Sequence, residues 1–184
     1  AFRGIRYALA PTGDRRFLPP KPVPAWEDVY DAKSFGPAAP QQPALEGPSE
    51  PTSEDCLFLN VYTRACDSLR RPVLFWIHGG GYVTGSGRFY NGRPFVAEHD
   101  VVVVTINYRM GALGFMHVGH LDPSLGESVN NGILDQLCAL QWTRDNIASL
   151  GGDPDNITIF GESAGGTSTA MILGCPRAEG MFDK

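Results

Sequence analysis

Hydrophobic and polar positions divide the chain into two stretches of different character. From Leu57 onward the apolar residues fall into runs of strand and helix length. Leu57 to Tyr62 alternates weakly and predicts a strand. Pro72 to Ile77 and Val101 to Asn107 are nearly continuous apolar runs, the pattern of parallel strands covered on both faces. Between Asn131 and Leu150 the spacing becomes helical, with Ile133, Leu134, Leu137, Leu140, Ile147 and Ala148 largely on one side. Gly151-Gly152 ends that helix and Asp153-Pro154 reads as a turn. A further strand, Ile157 to Phe160, leads into small residues and then an apolar stretch, Gly166 to Leu173, that continues as a helix. Strands alternating with helices predict an α/β fold with a mostly parallel central sheet and flanking helices.

Ahead of this lies a proline-rich segment. Ten of the fifteen prolines fall at or before Pro51. Pro19-Pro20-Lys21-Pro22-Val23-Pro24 is compatible with neither a helix nor a central strand. Phe2, Tyr7, Phe17, Leu18, Trp26, Val29, Tyr30 and Phe35 are too many apolar anchors for free coil. Residues 1–52 are therefore expected to form a wrapping arm and loop, least anchored from Gln41 to Thr52. Residues 53–184 are expected to form the sheet core of the same domain.

Composition narrows the function classes. The 184 residues are 42% hydrophobic and 19% charged, enough apolar material for a core, with a formal net charge of −5. No basic run is present, which argues against nucleic acid as a partner. No apolar stretch reaches the length of a membrane span. Cys56, Cys66, Cys138 and Cys175 lack metal-ligand spacing, so neither a metal nor a cofactor is expected. Arginine outnumbers lysine twelve to three, a balance suggesting a bacterial source. Asn156-Ile157-Thr158 has the form of a glycosylation sequon, but it abuts a buried strand and reads as turn chemistry.

Two motifs carry chemistry. Gly161-Glu162-Ser163-Ala164-Gly165 is a G-x-S-x-G nucleophile elbow between a predicted strand and a predicted helix, the context that confirms it. The sharp turn exposes the serine hydroxyl, and the glycines avoid collisions with neighbouring backbone. His78-Gly79-Gly80-Gly81 closes the apolar run Val73 to Ile77. Such a loop brings backbone N–H groups to the place where an ester oxygen becomes negative, and the residue after the serine supplies another. Neither the phosphate-cradling G-x-x-x-x-G-K-[ST] nor G-x-G-x-x-G opening a helix is present. The pair of motifs argues for a serine esterase or lipase.

Further runs are Phe2-Arg3-Gly4-Ile5, Arg16-Phe17, Trp26, Ser53-Glu54-Asp55-Cys56-Leu57, Asn107-Tyr108-Arg109, Gly114-Phe115, Leu134-Asp135-Gln136 and Gly151-Gly152-Asp153-Pro154. In this order and spacing the chain resembles the type-B carboxylesterases, the cholinesterase-like branch of the α/β hydrolases, and among them the bacterial para-nitrobenzyl-type esterases. The resemblance implies an α/β-hydrolase fold and a small-molecule carboxylic ester as substrate. It implies Ser163 as nucleophile and Gly80, Gly81 and Ala164 as oxyanion-hole donors. It makes Glu162 a buried acidic neighbour that tunes the site; the helix dipole alone would also favour a carboxylate there. It pairs Arg16 with Glu54, and Arg109 with Asp135, as buried structural ion pairs.

Two departures from the family pattern matter. Ala39 stands where disulfide-bearing members have the cysteine that would pair with Cys56. That points to a cytoplasmic rather than a secreted enzyme. The loop ahead of Ser53 carries no Trp, which argues against a choline-ester specialist.

The triad is expected to be incomplete. In this fold the order is Ser, then Asp or Glu, then His. His78, His99, His117 and His120 all precede Ser163, and Glu179 and Asp183 follow it too closely. His78 reads as structural, His99 as a helix end, and His117 and His120 as solvated loop residues. The chain thus reads as the N-terminal part of one catalytic domain, with the C-terminal half of the same protein as its missing partner. The alternative is a non-catalytic cholinesterase-like binding or adhesion module, against which the serine itself argues.

Overall fold

The computed structural model describes residues 1–42, 51–126 and 128–184. Five strands, β1 (Phe2–Arg6), β2 (Phe58–Tyr62), β3 (Arg71–Ile77), β4 (Val102–Ile106) and β5 (Gly152–Gly161), form one sheet in the order β1-β2-β4-β3-β5. Among the described residues four α-helices accompany it: α1 (Arg93–Glu98), α2 (Gly111–Phe115), α3 (Asn131–Asn146) and α4 (Ala164–Leu173).

The sheet is mixed, not mostly parallel. β4-β3 and β3-β5 are parallel, whereas β1-β2 and β2-β4 are antiparallel. Connection length accounts for β2 running opposite to β3 and β4. Residues 63–70 join β2 to β3 without a helix, and a parallel return needs a crossover of a dozen or more residues. The later strands have such crossovers, through α1 and through α2 and α3.

β4 is buried at every position, as a centre strand covered on both faces should be. β3 alternates instead: Val73, Phe75 and Ile77 are fully buried while Leu74 and Trp76 are partly exposed. The buried face belongs to the main core with Val104, Ile106, Leu137, Leu140, Ile157 and Ile172. Each such side chain contributes about 1.5–3 kcal/mol of burial. The other face carries a smaller cluster of Tyr62, Val96 and Val103.

Asp153-Pro154 is not a turn but part of β5, which begins at Gly152. The turn chemistry survives as a bulge. Two steps along β3, Arg71 to Val73, match five along β5, Gly152 to Ile157. Arg70 holds the bulge by hydrogen bonds to Asp153 and, at 2.8 Å, Asp155. Beyond β5, the Asp183 N–H donates to the Ile157 carbonyl and the Ile159 N–H to the Lys184 carbonyl, each at 2.8 Å.

The arm is pinned unevenly. Tyr7 is fully buried and donates to the Asn107 carbonyl at 2.7 Å. Val29, expected as an anchor, is 99% exposed. Most of the loop expected between Gln41 and Thr52 lies outside the described residues. All four cysteines are free; Cys56 and Ala39 are both buried. Among the described residues no helix is long and apolar enough to cross a membrane.

Candidate active site

Ser163 occupies the joint between β5 and α4. Only Glu162 and Ser163 separate the last strand residue from the first helix residue. The chain reverses in that space by placing Ser163 at φ 53°, ψ −119°, a conformation unfavourable for a residue with a Cβ. The glycines on either side make the turn possible. A Cβ on Gly161 would lie 2.7 Å from the Ile77 carbonyl oxygen, and one on Gly165 would strike that same carbonyl. The first turn of α4 therefore crosses directly over the end of β3, and Ser163 is left exposed.

The end of β3 runs into His78-Gly79-Gly80-Gly81, so the elbow and this loop are neighbours. A Cβ on Gly79 would stand 2.6 Å from the Glu162 carbonyl oxygen, too close for a side chain, and 3.0 Å from the Ser163 Cβ. Gly80, Gly81 and Tyr82 follow with φ of 105°, 61° and 62°. Among the described residues the N–H groups of Gly80, Gly81 and Ala164 donate no hydrogen bond. That of Ala164 opens the ten-residue helix α4, whose dipole favours negative charge at this end. An exposed hydroxyl beside uncommitted, rigidly held N–H groups is the geometry that addition to a carbonyl requires.

Three residues brace this geometry, a role read from sequence for none of them. The Tyr82 hydroxyl donates to the Ala164 carbonyl at 2.8 Å and lies 3.2 Å from Ser168 Oγ. Gln41 accepts from Thr84 Oγ1 at 2.7 Å and from the Gly85 N–H at 2.8 Å, and donates to the Gly85 carbonyl at 2.9 Å. Asn107 accepts from the Gly87 N–H at 2.9 Å and donates to the Pro37 carbonyl at 3.0 Å. Asn107 belongs to a recognisable Asn-Tyr-Arg run; Tyr82 and Gln41 carry no local signal.

The ion pairs differ from expectation in one respect. Arg109 and Asp135 form a buried fork at 2.7 and 2.8 Å, with side chains 2% and 0% exposed. The backbone N–H of Arg109 adds a third bond to the same carboxylate, and its guanidinium reaches the Leu18 carbonyl at 2.7 Å. Arg16 and Glu54 also pair, at 2.6 and 2.8 Å, but at the surface, with side chains 45% and 30% exposed. The arm reaches Glu54 from outside the sheet, so water remains in contact with both groups. Among the described residues Glu162 is likewise exposed, not buried.

The histidines lie apart from the serine hydroxyl. His78 is buried behind the loop, with burial pulling its pKa down to about 4. His99 caps the C-terminus of α1. His117 and His120 sit together after α2, ring centres 5.7 Å apart. Among the described residues no histidine hydrogen-bonds Ser163. A shallow apolar recess lined by Tyr82, Val83, Ala112, Phe115 and Met116 adjoins the loop. A second one, between the arm at Pro19–Trp26 and α3, includes neither Ser163 nor any residue of the loop.

Known proteins resemble this chain in sequence and in fold. The profile of the Carboxylesterase family matches residues 1–184. Para-nitrobenzyl esterase of Bacillus subtilis (strain 168) is 45% identical over 191 residues, covering 100% of this chain and 38% of that protein. Acetylcholinesterase of Gallus gallus is 45% identical over 196 residues, covering 99% of this chain and 25% of that protein. The crystal structure of a Geobacillus stearothermophilus carboxylesterase superposes with a TM-score of 0.92 at 52% identity, over 100% of this chain and 38% of that one. The chain thus spans well under half the length of these relatives, and its fold is that of the α/β hydrolases. Matched from Ala1 to Lys184, the chain belongs to the carboxylesterase family.

Proposed function

We propose that the protein hydrolyses carboxylic esters through an acyl-enzyme formed on Ser163. The observation that carries this reading is the exposed serine on a two-residue elbow packed against the His78–Gly81 loop, in a carboxylesterase-family chain. Ser163 Oγ attacks the ester carbon as a base takes its proton. The carbonyl electrons move onto oxygen, where the N–H groups of Gly80, Gly81 and Ala164 receive the charge. The tetrahedral adduct collapses, the base returns the proton to the leaving alcohol, and the acyl group stays on Ser163. Water, deprotonated by the same base, then releases the acid.

The base and its orienting acid are assigned to polypeptide outside these 184 residues, since the chain covers 38% of the para-nitrobenzyl esterase. The chain itself is assigned to the N-terminal part of the catalytic domain. Glu162 is assigned an electrostatic role: a carboxylate next to the nucleophile favours the cationic form through which the base passes. Neutral esters are favoured over choline esters, because residues 41–52 contain no aromatic side chain to hold a quaternary ammonium.

The test is p-nitrobenzyl or p-nitrophenyl ester hydrolysis by the protein at its full natural length. Ser163→Ala should lower kcat by a factor on the order of 10⁶. A fluorophosphonate should label Ser163 and no other serine. Turnover that survives Ser163→Ala would refute the assignment.

A further inference from the structure

His78 takes no part in the chemistry just described, yet its ring is enclosed behind the loop that supplies the donors. Its side chain is 1% exposed and lies on Tyr108, ring centres 4.4 Å apart and planes within 19° of parallel. Its Nδ1 stands 2.8 Å from the Gly79 carbonyl oxygen. A carbonyl oxygen only accepts, so Nδ1 bears the hydrogen and donates it. The tautomer follows: Nε2 carries no hydrogen, and it is buried without a partner among the described residues. Gly85 closes over this contact. A Cβ there would lie 2.6 Å from the Gly79 oxygen and 2.8 Å from His78 Cε1, so a larger residue would separate the two.

The bond matters because of the other end of the peptide that it holds. The Gly79 carbonyl and the Gly80 N–H belong to one planar trans unit and point in opposite directions. Holding the oxygen against the buried ring turns the Gly80 N–H away from that ring; Gly81, next along the chain, and Ser163, packed beside Gly79, are both exposed. Glycines at 79, 80 and 81 offer no side chain to oppose the rotation that would exchange these two groups. Some other contact has to choose between the two orientations.

We propose that His78 is a positioning residue: its Nδ1–H to Gly79 bond latches the Gly79–Gly80 peptide so that the Gly80 N–H faces the oxyanion formed at Ser163. This inference rests on the esterase reading above. Burial supports it by keeping the ring neutral at ordinary pH, with its pKa pulled down to about 4. A proton on Nε2 would find no acceptor among the described residues.

Three substitutions in the protein at its full natural length separate a latch from a mere space-filler. Asparagine places its amide nitrogen as many bonds from Cβ as Nδ1, glutamine places it one bond farther, and phenylalanine has no donor. His78→Phe and His78→Gln should each lower kcat about 10²-fold while KM stays within about threefold, the signature of a lost transition-state contact. Affinity for a trifluoromethyl ketone, which forms the tetrahedral adduct, should fall in parallel. His78→Asn should keep kcat within about fivefold of the parent. Should the phenylalanine variant not fold, the asparagine and glutamine variants decide the matter between them. Folded variants with parental kcat, or an asparagine variant as impaired as the glutamine one, would sink the latch alone. A parent that turns over no ester, or one indifferent to Ser163→Ala, would sink the esterase reading and the latch with it.

Discussion

The Tyr82 hydroxyl donates to the Ala164 carbonyl at 2.8 Å and so ties the glycine loop after β3 to the first turn of α4. Tyr82 itself sits at φ 62°, held by the Gly111 N–H, which donates to its carbonyl at 2.7 Å, and by ring contact with Phe115 at 4.8 Å. One side chain thus bridges the loop after β3 and the helix that follows the elbow.

Tyr82→Phe keeps the ring and removes this tie. Stability should fall by only about 0.5–1.5 kcal/mol, the net worth of one hydrogen bond. Ester turnover should fall further than that suggests, by about tenfold, because the loop and the elbow can then shift independently. Urea unfolding and kcat for a p-nitrophenyl ester, measured on the same preparation, check both. Unchanged turnover would show that the tie does not govern the site.

The two Arg–carboxylate pairs should respond differently to neutralisation. Asp135→Asn strands the Arg109 guanidinium, 2% exposed, without a counter-charge, and should cost about 3–5 kcal/mol. It also loosens the hold of Arg109 on the Leu18 carbonyl, so proteolysis within the arm should accelerate. Glu54→Gln at the exposed Arg16 pair should leave the urea midpoint near that of the parent. Equal shifts in the two variants would contradict the burial difference.

Acid stability should carry a signature of His78. Burial lowers its pKa from 6.5 to about 4 in the folded chain. Between those values the unfolded chain binds a proton at this ring and the folded chain does not. Stability therefore falls as pH drops through that window, at up to about 1.4 kcal/mol per pH unit. Above about pH 6.5 the ring is neutral in both states and adds no slope. Unfolding measured at pH 5 and pH 7.5 should show a larger difference in the parent than in His78→Asn. Identical differences would mean that the ring is not shielded in the folded protein.

Local chemistry was legible wherever a few adjacent residues determine it. The apolar run Val102 to Ile106 is a strand, the glycines around Ser163 form the elbow, and Gly151, at φ 82°, ends the helical segment before β5. What was misread depended on neighbours distant in sequence. Asp153-Pro154 has turn composition, but Arg70, more than eighty positions earlier, draws it into a bulged strand. Val29 is as apolar as the buried valines, yet it is 99% exposed among the described residues.

By itself the sequence determined most of the elements and the glycine-flanked turn that carries Ser163, because backbone conformation and helix or strand period are set within a few residues. The tertiary structure alone decided the strand order β1-β2-β4-β3-β5, and with it what stands beside Ser163. Placing β3 next to β5 brings the His78 loop under the elbow, and with it the reach of Tyr82 to Ala164 and of Gln41 to Gly85. Those contacts join residues 82 and 44 positions apart. No local pattern encodes them, because they exist only once long-range strand pairing has brought distant backbone within hydrogen-bond reach.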